Sequence, residues 1–326
     1  MIDVSIVIVN WNVKELLTDC LHSIIGNTKD LSYEIIVIDN ASTDGSIQYL
    51  NEKFPDITLI GNEKNLGFAK ANNQGFEKAR GKYIFILNPD TLVLSNSLLL
   101  LYNYLEENQS VGIVGPKILQ KPSNTTSSSS IQLTCARKYP TILKDVAVEY
   151  MQLNKLPLIG PGILHILQFP YNYEEENYVD AISGAAMLIR QDVLIEVGGF
   201  DEEFLHGGED IHLCWKVNRS FHTAYLPKAV IIHYSGQSSR QNLVKSSVYN
   251  YLSNATYYNK VNGTLYSFLY KLSLLIIFIP IRLFIVILRS INLRKDKEII
   301  HTELGVISLL LKTLLGRLKS GFSFND

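Results

Sequence analysis

Apolar residues recur at two periods along the first hundred positions, and the switch between them marks out alternating strands and helices. Val4 to Val9 is a short β-branched run of the kind that forms a strand buried on both faces. Glu34 to Ile38, Ile57 to Ile60, Tyr83 to Leu87 and Val111 to Val114 are similar runs. After the first run, Leu16, Leu17, Cys20, Leu21 and Ile24 fall at helical spacing. Asn12 stands where a helix cap belongs, with Glu15 three residues on, and Gly26-Asn27 is a stop. The same logic predicts helices over Ile47 to Phe54, Phe68 to Ala79 and around Leu98 to Glu106. This order predicts an α/β fold with a mostly parallel sheet covered on both faces. From Pro116 to Asn177 the pattern breaks down, and Ser123 to Ser130, nearly all Ser, Thr and Asn, reads as a mobile loop. Regularity returns with a strand over Ala185 to Ile189 and a helix from Asp192.

The end of the chain has a different character. Leu272 to Leu288 is nearly continuous apolar sequence, broken by Pro280 and Arg282. As an ideal helix this run reaches about 25 Å, short of a hydrocarbon core of about 30 Å, and an arginine near its centre costs about 2.5–3.5 kcal/mol on insertion. Lys271, Arg282, Arg289, Arg294 and Lys295 suit a helix lying on an anionic inner-leaflet surface. Leu304, Ile307, Leu311, Leu314 and Leu318 form a second apolar face, with Lys312, Arg317 and Lys319 away from it. A helical hairpin packed on the core, or a homodimer contact, is the competing reading; a membrane-surface anchor is the favoured one.

Composition narrows the field. The chain has 326 residues and a formal net charge of −1, so no broad basic surface advertises nucleic acid. Its three cysteines, Cys20, Cys135 and Cys214, are odd in number and far apart, with neither zinc nor disulfide spacing, which suits a reducing cytosol. The start, MIDVSIVIVNW, lacks a basic leader and carries Asp3, so it reads as a strand rather than a signal peptide and places the start on the cytoplasmic side.

The chemistry gathers at strand ends. Asn10 and Asn12 follow the first strand; Asp39, Asn40 and Asp44 the second; Asn65 and Gly67 the third; Asn88 and Asp90 the fourth. In a parallel sheet these ends converge on one rim, where ligands of open α/β sheets bind. No G-x-G-x-x-G follows the first strand and no Walker A sequence exists, so nicotinamide and P-loop chemistry are disfavoured. Each residue alone reads as a turn or cap residue; together they suggest a nucleotide pocket in which Asp39 accepts from a base N–H or ribose hydroxyls. Gly67 lets backbone approach a flat ring. Pro89 stiffens the turn that carries Asp90, whose hard oxygen suits Mg²⁺ or Mn²⁺ holding a phosphate.

The blocks SIVIVNWN, IIVIDNASTDGS, NLGFAKANNQG, FILNPDT, ISGAAMLIR, GGFDEEF, GEDIHLCWK and PKAVIIHYSGQSS, spread over roughly residues 3–238, make the chain similar to family 2 glycosyltransferases of GT-A fold, close to the rhamnosyltransferase-like branch. The resemblance implies a cytosolic enzyme that moves a sugar from a nucleotide diphosphate to an acceptor hydroxyl with inversion. On the matching positions it implies that Asp39 contacts the base, Asn88-Pro89-Asp90 replaces a DxD so that Asp90 holds the metal, and Glu209-Asp210 is the catalytic ED with Asp210 the general base. It further implies that His233 completes the metal site; Arg240 stands where a mobile segment could close on the diphosphate. The chemistry agrees: a hydroxyl nucleophile needs a base, and a diphosphate leaving group needs positive charge. Departures from the family pattern are Asn88 for an acid, Gly207-Gly208 for an aromatic pair, His212 for an acid and Trp215-Lys216 where arginine is frequent.

The expected organisation is a catalytic domain over 1–245, divided into a nucleotide-binding half 1–115 and an acceptor half 116–245, and a helical membrane-association segment over 246–326. The expected donor is a dTDP- or UDP-sugar and the expected acceptor a lipid-linked glycan, met at the cytoplasmic face of the membrane. The alternatives are a polyprenyl-phosphate sugar transferase and a catalytically silent nucleotide-binding subunit.

Overall fold

A computed structural model describes residues 2–120, 129–153, 160–167, 171–234, 242–291 and 297–316. Its first half alternates as the hydrophobic pattern requires: β1 (Val4–Asn10), α1 (Lys14–Asn27), β2 (Tyr33–Asp39), α2 (Ser46–Lys53), β3 (Thr58–Gly61), α3 (Phe68–Lys78) and β4 (Tyr83–Leu87). All seven residues of β1 and all five of β4 are buried, so these two strands are central and covered on both faces. They run parallel to each other, and β1 also runs parallel to β2, in a register that sets Asn10 beside Asp39. The polar strand ends therefore do share one rim.

Beyond β4 come β5 (Thr91–Val93), α4 (Ser97–Glu107), β6 (Val111–Gln120), β7 (Ser130–Ile131), α5 (Ile142–Lys144), α6 (Gly160–Leu167), β8 (Asn177–Tyr178), β9 (Ala186–Arg190), α7 (Gln191–Glu196), α8 (Glu209–Val217) and β10 (His222–His233). The described residues form one sheet in the order β3-β2-β1-β4-β9-β6-β10-β5, with β7 on β6 and β8 on β10. The sheet is mixed rather than mostly parallel: β9 is antiparallel to both β4 and β6, and β10, parallel to β6, is antiparallel to β5. Strand β6 also continues through Pro116, where the sequence pattern broke off. Opposite it the register of β10 slips between Leu226 and Val230, and such an irregularity accommodates a residue with no N–H to donate.

The Asn12 cap does not form. Asn12 is left-handed (φ 54°), and its Oδ1 accepts from the Thr43 N–H instead. The orphan N–H groups go to Asp44, which accepts from Lys14 N at 2.9 Å and from Ser46 N at 3.1 Å. One carboxylate thus caps both α1 and α2, which a local sequence window cannot reveal.

The C-terminal helices are α9 (Leu243–Asn262), α10 (Thr264–Ser273), α11 (Ile279–Ile291) and α12 (Lys297–Leu314). A π-helical stretch, Leu274–Phe278, joins α10 to α11, so Thr264–Ser290 is one rod of 27 residues that contains an 18-residue stretch of mean hydropathy 2.5. It is long and apolar enough to cross a membrane, by length and composition alone, which replaces the shorter span expected from sequence. Its inner face packs on α9 and on the segment that carries Tyr150: Phe278 meets the Tyr251 ring at 4.7 Å and the Tyr150 ring at 5.2 Å. Arg282 is not a lipid-facing cation; it forms a 2.8 Å ion pair with Glu303 of α12. Arg294, Lys295, Arg317, Leu318, Lys319, Arg240 and most of the Ser123–Ser130 stretch lie outside the described residues.

Candidate active site

One cavity of about 430 Å³ opens at the rim where β1, β2 and β4 end. Its nucleotide-side wall is built from asparagine. Asn40 Nδ2 donates to Asn65 Oδ1 at 2.8 Å, while Asn40 Oδ1 accepts from Leu66 N at 2.9 Å and Asn65 Oδ1 accepts from Gly67 N at 2.9 Å. Asn40, Asn65 and Gly67 line the cavity. Asn10, Asn12 and Asp39 stand behind it. Asp39 is fully buried and accepts from Asn10 Nδ2 and Ser42 N, both at 2.8 Å. In this geometry Asp39 braces the Asp39–Asp44 turn rather than facing a ligand.

The turn after β4 is held from three sides. Asn88 N donates to Ala185 O, Tyr234 N donates to Asp90 O, and the Thr91 hydroxyl donates to Asn88 O. Cys20 lies beneath it, and burial pushes its thiol up to about 12, so it is an inert core residue. Asp90 Oδ1 is 3.1 Å from His233 Nε2, and Asn88 Nδ2 is 3.4 Å from the same nitrogen. The ring is oriented by a residue that sequence reasoning did not single out: Gln132 Oε1 lies 2.9 Å from His233 Nδ1, while Gln132 Nε2 donates to Thr134. An amide oxygen can only accept, so Nδ1 carries a proton and donates to Gln132, and Nε2 is the ring nitrogen that faces Asp90. A carboxylate and an imidazole nitrogen set this close can share a proton or hold a cation between them. Among the described residues no group of three or more His, Cys, Asp and Glu converges; this is a pair flanked by an amide.

The second acidic centre begins α8. Gly208, left-handed at φ 87°, precedes Glu209 and Asp210 in the first turn, where the helix dipole favours negative charge. Asp210 Oδ2 accepts from Arg137 Nη2 and from Gly184 N, each at 2.9 Å, and Oδ1 accepts from Ile211 N at 2.8 Å. Three donors and no acceptor suit an ionised carboxylate. A Cβ on Gly184 would sit 3.2 Å from the Asp210 Cβ, a tight contact that would push the carboxylate by a few tenths of an ångström. Glu209 is the opposite case. Burial, and after it the Asp210 charge, push its carboxyl well above the usual range, and its Oε2 has no hydrogen-bond partner among the described residues. The adjacent acids are thus set apart, one ionised and one inclined to keep its proton.

His212 and Trp215 do not reach the cavity. His212 is stacked between Phe204 and Trp215, and burial, then Lys216, lower its pKa to about 4, so it serves as a neutral packing plate. Residues that line the cavity unannounced by the sequence reading include His206, kept neutral by burial, and Asn242, Lys245, Ser246 and Tyr249 of α9. The α9 group has a legible signal in its i, i+3, i+4, i+7 spacing. Arg137 had none, since it lies in the irregular stretch.

A cavity at the carboxyl ends of parallel strands, with a carboxylate–histidine pair on one side and a helix-borne Glu-Asp on the other, sits in a sheet of the GT-A fold. The fold agrees: a mannosyltransferase of Pyrobaculum calidifontis, solved in complex with GDP-Man and Mn²⁺, superposes with a TM-score of 0.52 at 15% identity, covering 97% of this chain and 88% of that one. The chain belongs to glycosyl transferase family 2, whose model matches residues 5–198, the family expected from the sequence blocks.

Among curated relatives, a poly(ribitol-phosphate) beta-glucosyltransferase of Bacillus spizizenii is 37% identical over 112 residues, 33% of this chain and 18% of that protein. An N-acetylglucosaminyl-diphospho-decaprenol L-rhamnosyltransferase of Mycobacterium tuberculosis is 23% identical over 228 residues, 63% of this chain and 67% of that one. The match therefore spans less than a fifth of the first relative and about two thirds of the second.

Proposed function

We propose that this protein transfers a hexose, with rhamnose the favoured case, from a dTDP- or UDP-sugar to a hydroxyl of a lipid-linked or polysaccharide acceptor, inverting the anomeric centre, at the cytoplasmic face of a membrane. The observation that carries this reading is that Asp210 and the Asp90–His233 pair line one cavity with the asparagine wall. The rhamnosyl and lipid-linked parts draw on the name of the mycobacterial relative.

Asp210 is the base. Arg137 and Gly184 hold it charged and aimed, and it takes the proton of the acceptor hydroxyl as oxygen attacks the anomeric carbon. Glu209, inclined to stay protonated, can donate a hydrogen bond to the same substrate. One base and one displacement give inversion, because a retaining route through a covalent sugar needs a second nucleophile. The nucleoside packs against the asparagine wall, and Asp39 keeps that wall's turn in place.

Asp90 and His233 Nε2 would hold Mn²⁺ or Mg²⁺, hard oxygen with one imidazole favouring Mn²⁺, and Asn88 could add its amide oxygen only by turning its Nδ2 away from the histidine. Bound there, the ion supplies positive charge to the departing diphosphate.

The test is transfer of labelled sugar from a panel of nucleotide sugars to lipid-linked acceptors with Mn²⁺ present. Transfer that survives Asp210→Asn overturns the base assignment. Indifference to EDTA overturns the metal.

A further inference from the structure

The cavity has a wall that the scheme above leaves unused. Asn242, Lys245, Ser246 and Tyr249 lie on one face of α9 and line it. The carboxylates of Asp90, Glu209 and Asp210 line the same cavity, and Lys245 is the one Lys or Arg among the described lining residues. The nearby Arg137 is committed to Asp210. Lys245 is half-buried, and no carboxylate among the described residues pairs with it. A flexible ammonium with no fixed carboxylate partner, flanked by hydroxyl and amide donors, suits phosphate oxygens.

The surroundings of α9 say which phosphate. The rod α10–α11 runs back along α9. Ser267 Oγ donates to Ala255 O, and further on Phe278 meets Tyr251. Arg282, one turn beyond, pairs with Glu303 of α12, and two residues later Gly305 abuts Val244, its Cβ position 3.1 Å from the valine methyl. Val244 is the neighbour of Lys245, so the far half of the rod reaches the level of the cavity. Its outer face there is exposed and apolar: Leu283 39%, Phe284 60%, Ile287 59% and Leu288 49%. An anion-binding wall at the cavity and an apolar stripe at the same level along α9 together match an amphiphile with a charged head and a hydrocarbon tail. On the reading above, the donor's diphosphate would instead be met by an ion held at Asp90 and His233.

We propose that the α9 wall, with Lys245 as its cation, is the subsite for the diphosphate of a prenyl-diphosphate-linked acceptor, whose hydrocarbon lies along the exposed stripe of α11. This rests on the lipid-linked reading of the acceptor given above. The test is equilibrium binding of farnesyl diphosphate to the full chain in detergent micelles, read from tryptophan fluorescence, since Trp11 lines the cavity. With saturating UDP or dTDP present, the wild type binds farnesyl diphosphate. Lys245→Met weakens this about tenfold, the loss of one charge-assisted contact. Lys245→Arg retains most of the affinity, and farnesol binding does not change with either substitution.

Equal binding by wild type and Lys245→Met overturns the proposal. So does full displacement of farnesyl diphosphate by the nucleotide with an equal loss of nucleotide affinity in Lys245→Met, since that assigns the wall to the donor. Absence of transfer to any lipid-linked acceptor, with Lys245-dependent binding intact, sinks the functional reading while leaving the subsite standing.

Discussion

Asp210 and Glu209 are chemically alike, and their neighbours make them different. Asp210 has three donors, one of them Arg137; Glu209 has burial and a like charge beside it. Asp210→Asn keeps the shape and removes the base, so kcat should fall by roughly 10²–10⁴, the usual worth of general base catalysis, with the melting temperature little changed. Glu209 predicts a pH signature in stability. Its folded carboxyl holds a proton that the unfolded chain releases near 4.5, so its stabilising share is full below that pH and is lost as pH rises toward and through its elevated folded value. Thermal melts of Glu209→Gln against wild type should therefore diverge as pH rises from about 5 to 8, the variant losing less. At the other pole, Asp90→Ala should abolish transfer, while Asn88→Asp should preserve or tighten Mn²⁺ dependence in a metal titration of activity, because it adds a second hard oxygen beside the histidine.

Elements were legible where one strand or helix could be recognised from its own residues. The strands β1, β2 and β4 carry unbroken apolar runs, and α1 and α3 carry stripes, because burial on both faces or on one face prints a period on the sequence. What escaped were features made by pairs of elements. Pro116 ended the pattern on paper, yet β6 continues because β10 shifts its register opposite. Asn12 looked like a cap, yet Asp44, distant in sequence, provides it. Asp44→Ala uncaps α1 and α2 together and should cost about 1–3 kcal/mol in urea unfolding, more than the ~1 kcal/mol of an ordinary cap, with m unchanged. A loss no larger than one cap would mean that only one helix end depends on it.

At the scale of the molecule the C-terminal helices combine two behaviours. The inner face of the rod is bound to α9 and α12, with Arg282 neutralised by Glu303; the outer face presents Leu265, Phe268, Leu272, Ile276, Phe284 and Ile287 to the exterior. An isolated apolar face of this length needs a cover, and the cover proposed for it is a membrane. A rod lying on the surface should be released from membranes by alkaline carbonate; retention in the pellet would mean that it spans. Phe268→Glu with Phe284→Glu should shift the protein to the soluble fraction without loss of transfer to a water-soluble acceptor. Retention of that double variant on membranes would show that this stripe is not the anchor.

The sequence alone determined the parallel strands, their polar ends and the Glu-Asp at a helix start, because burial and backbone geometry act over a few residues and leave periods and breaks in the text. It could not show β9 inserted antiparallel, Gln132 behind His233, Arg137 on Asp210 or Lys245 in the cavity. Those partners are joined across gaps of 73 to 101 residues for Arg137–Asp210 and Gln132–His233, and a hydrogen bond over such a separation leaves no local pattern. Only the folded chain decides which side chain an acid meets, and that decides which of two adjacent carboxyls is the charged one.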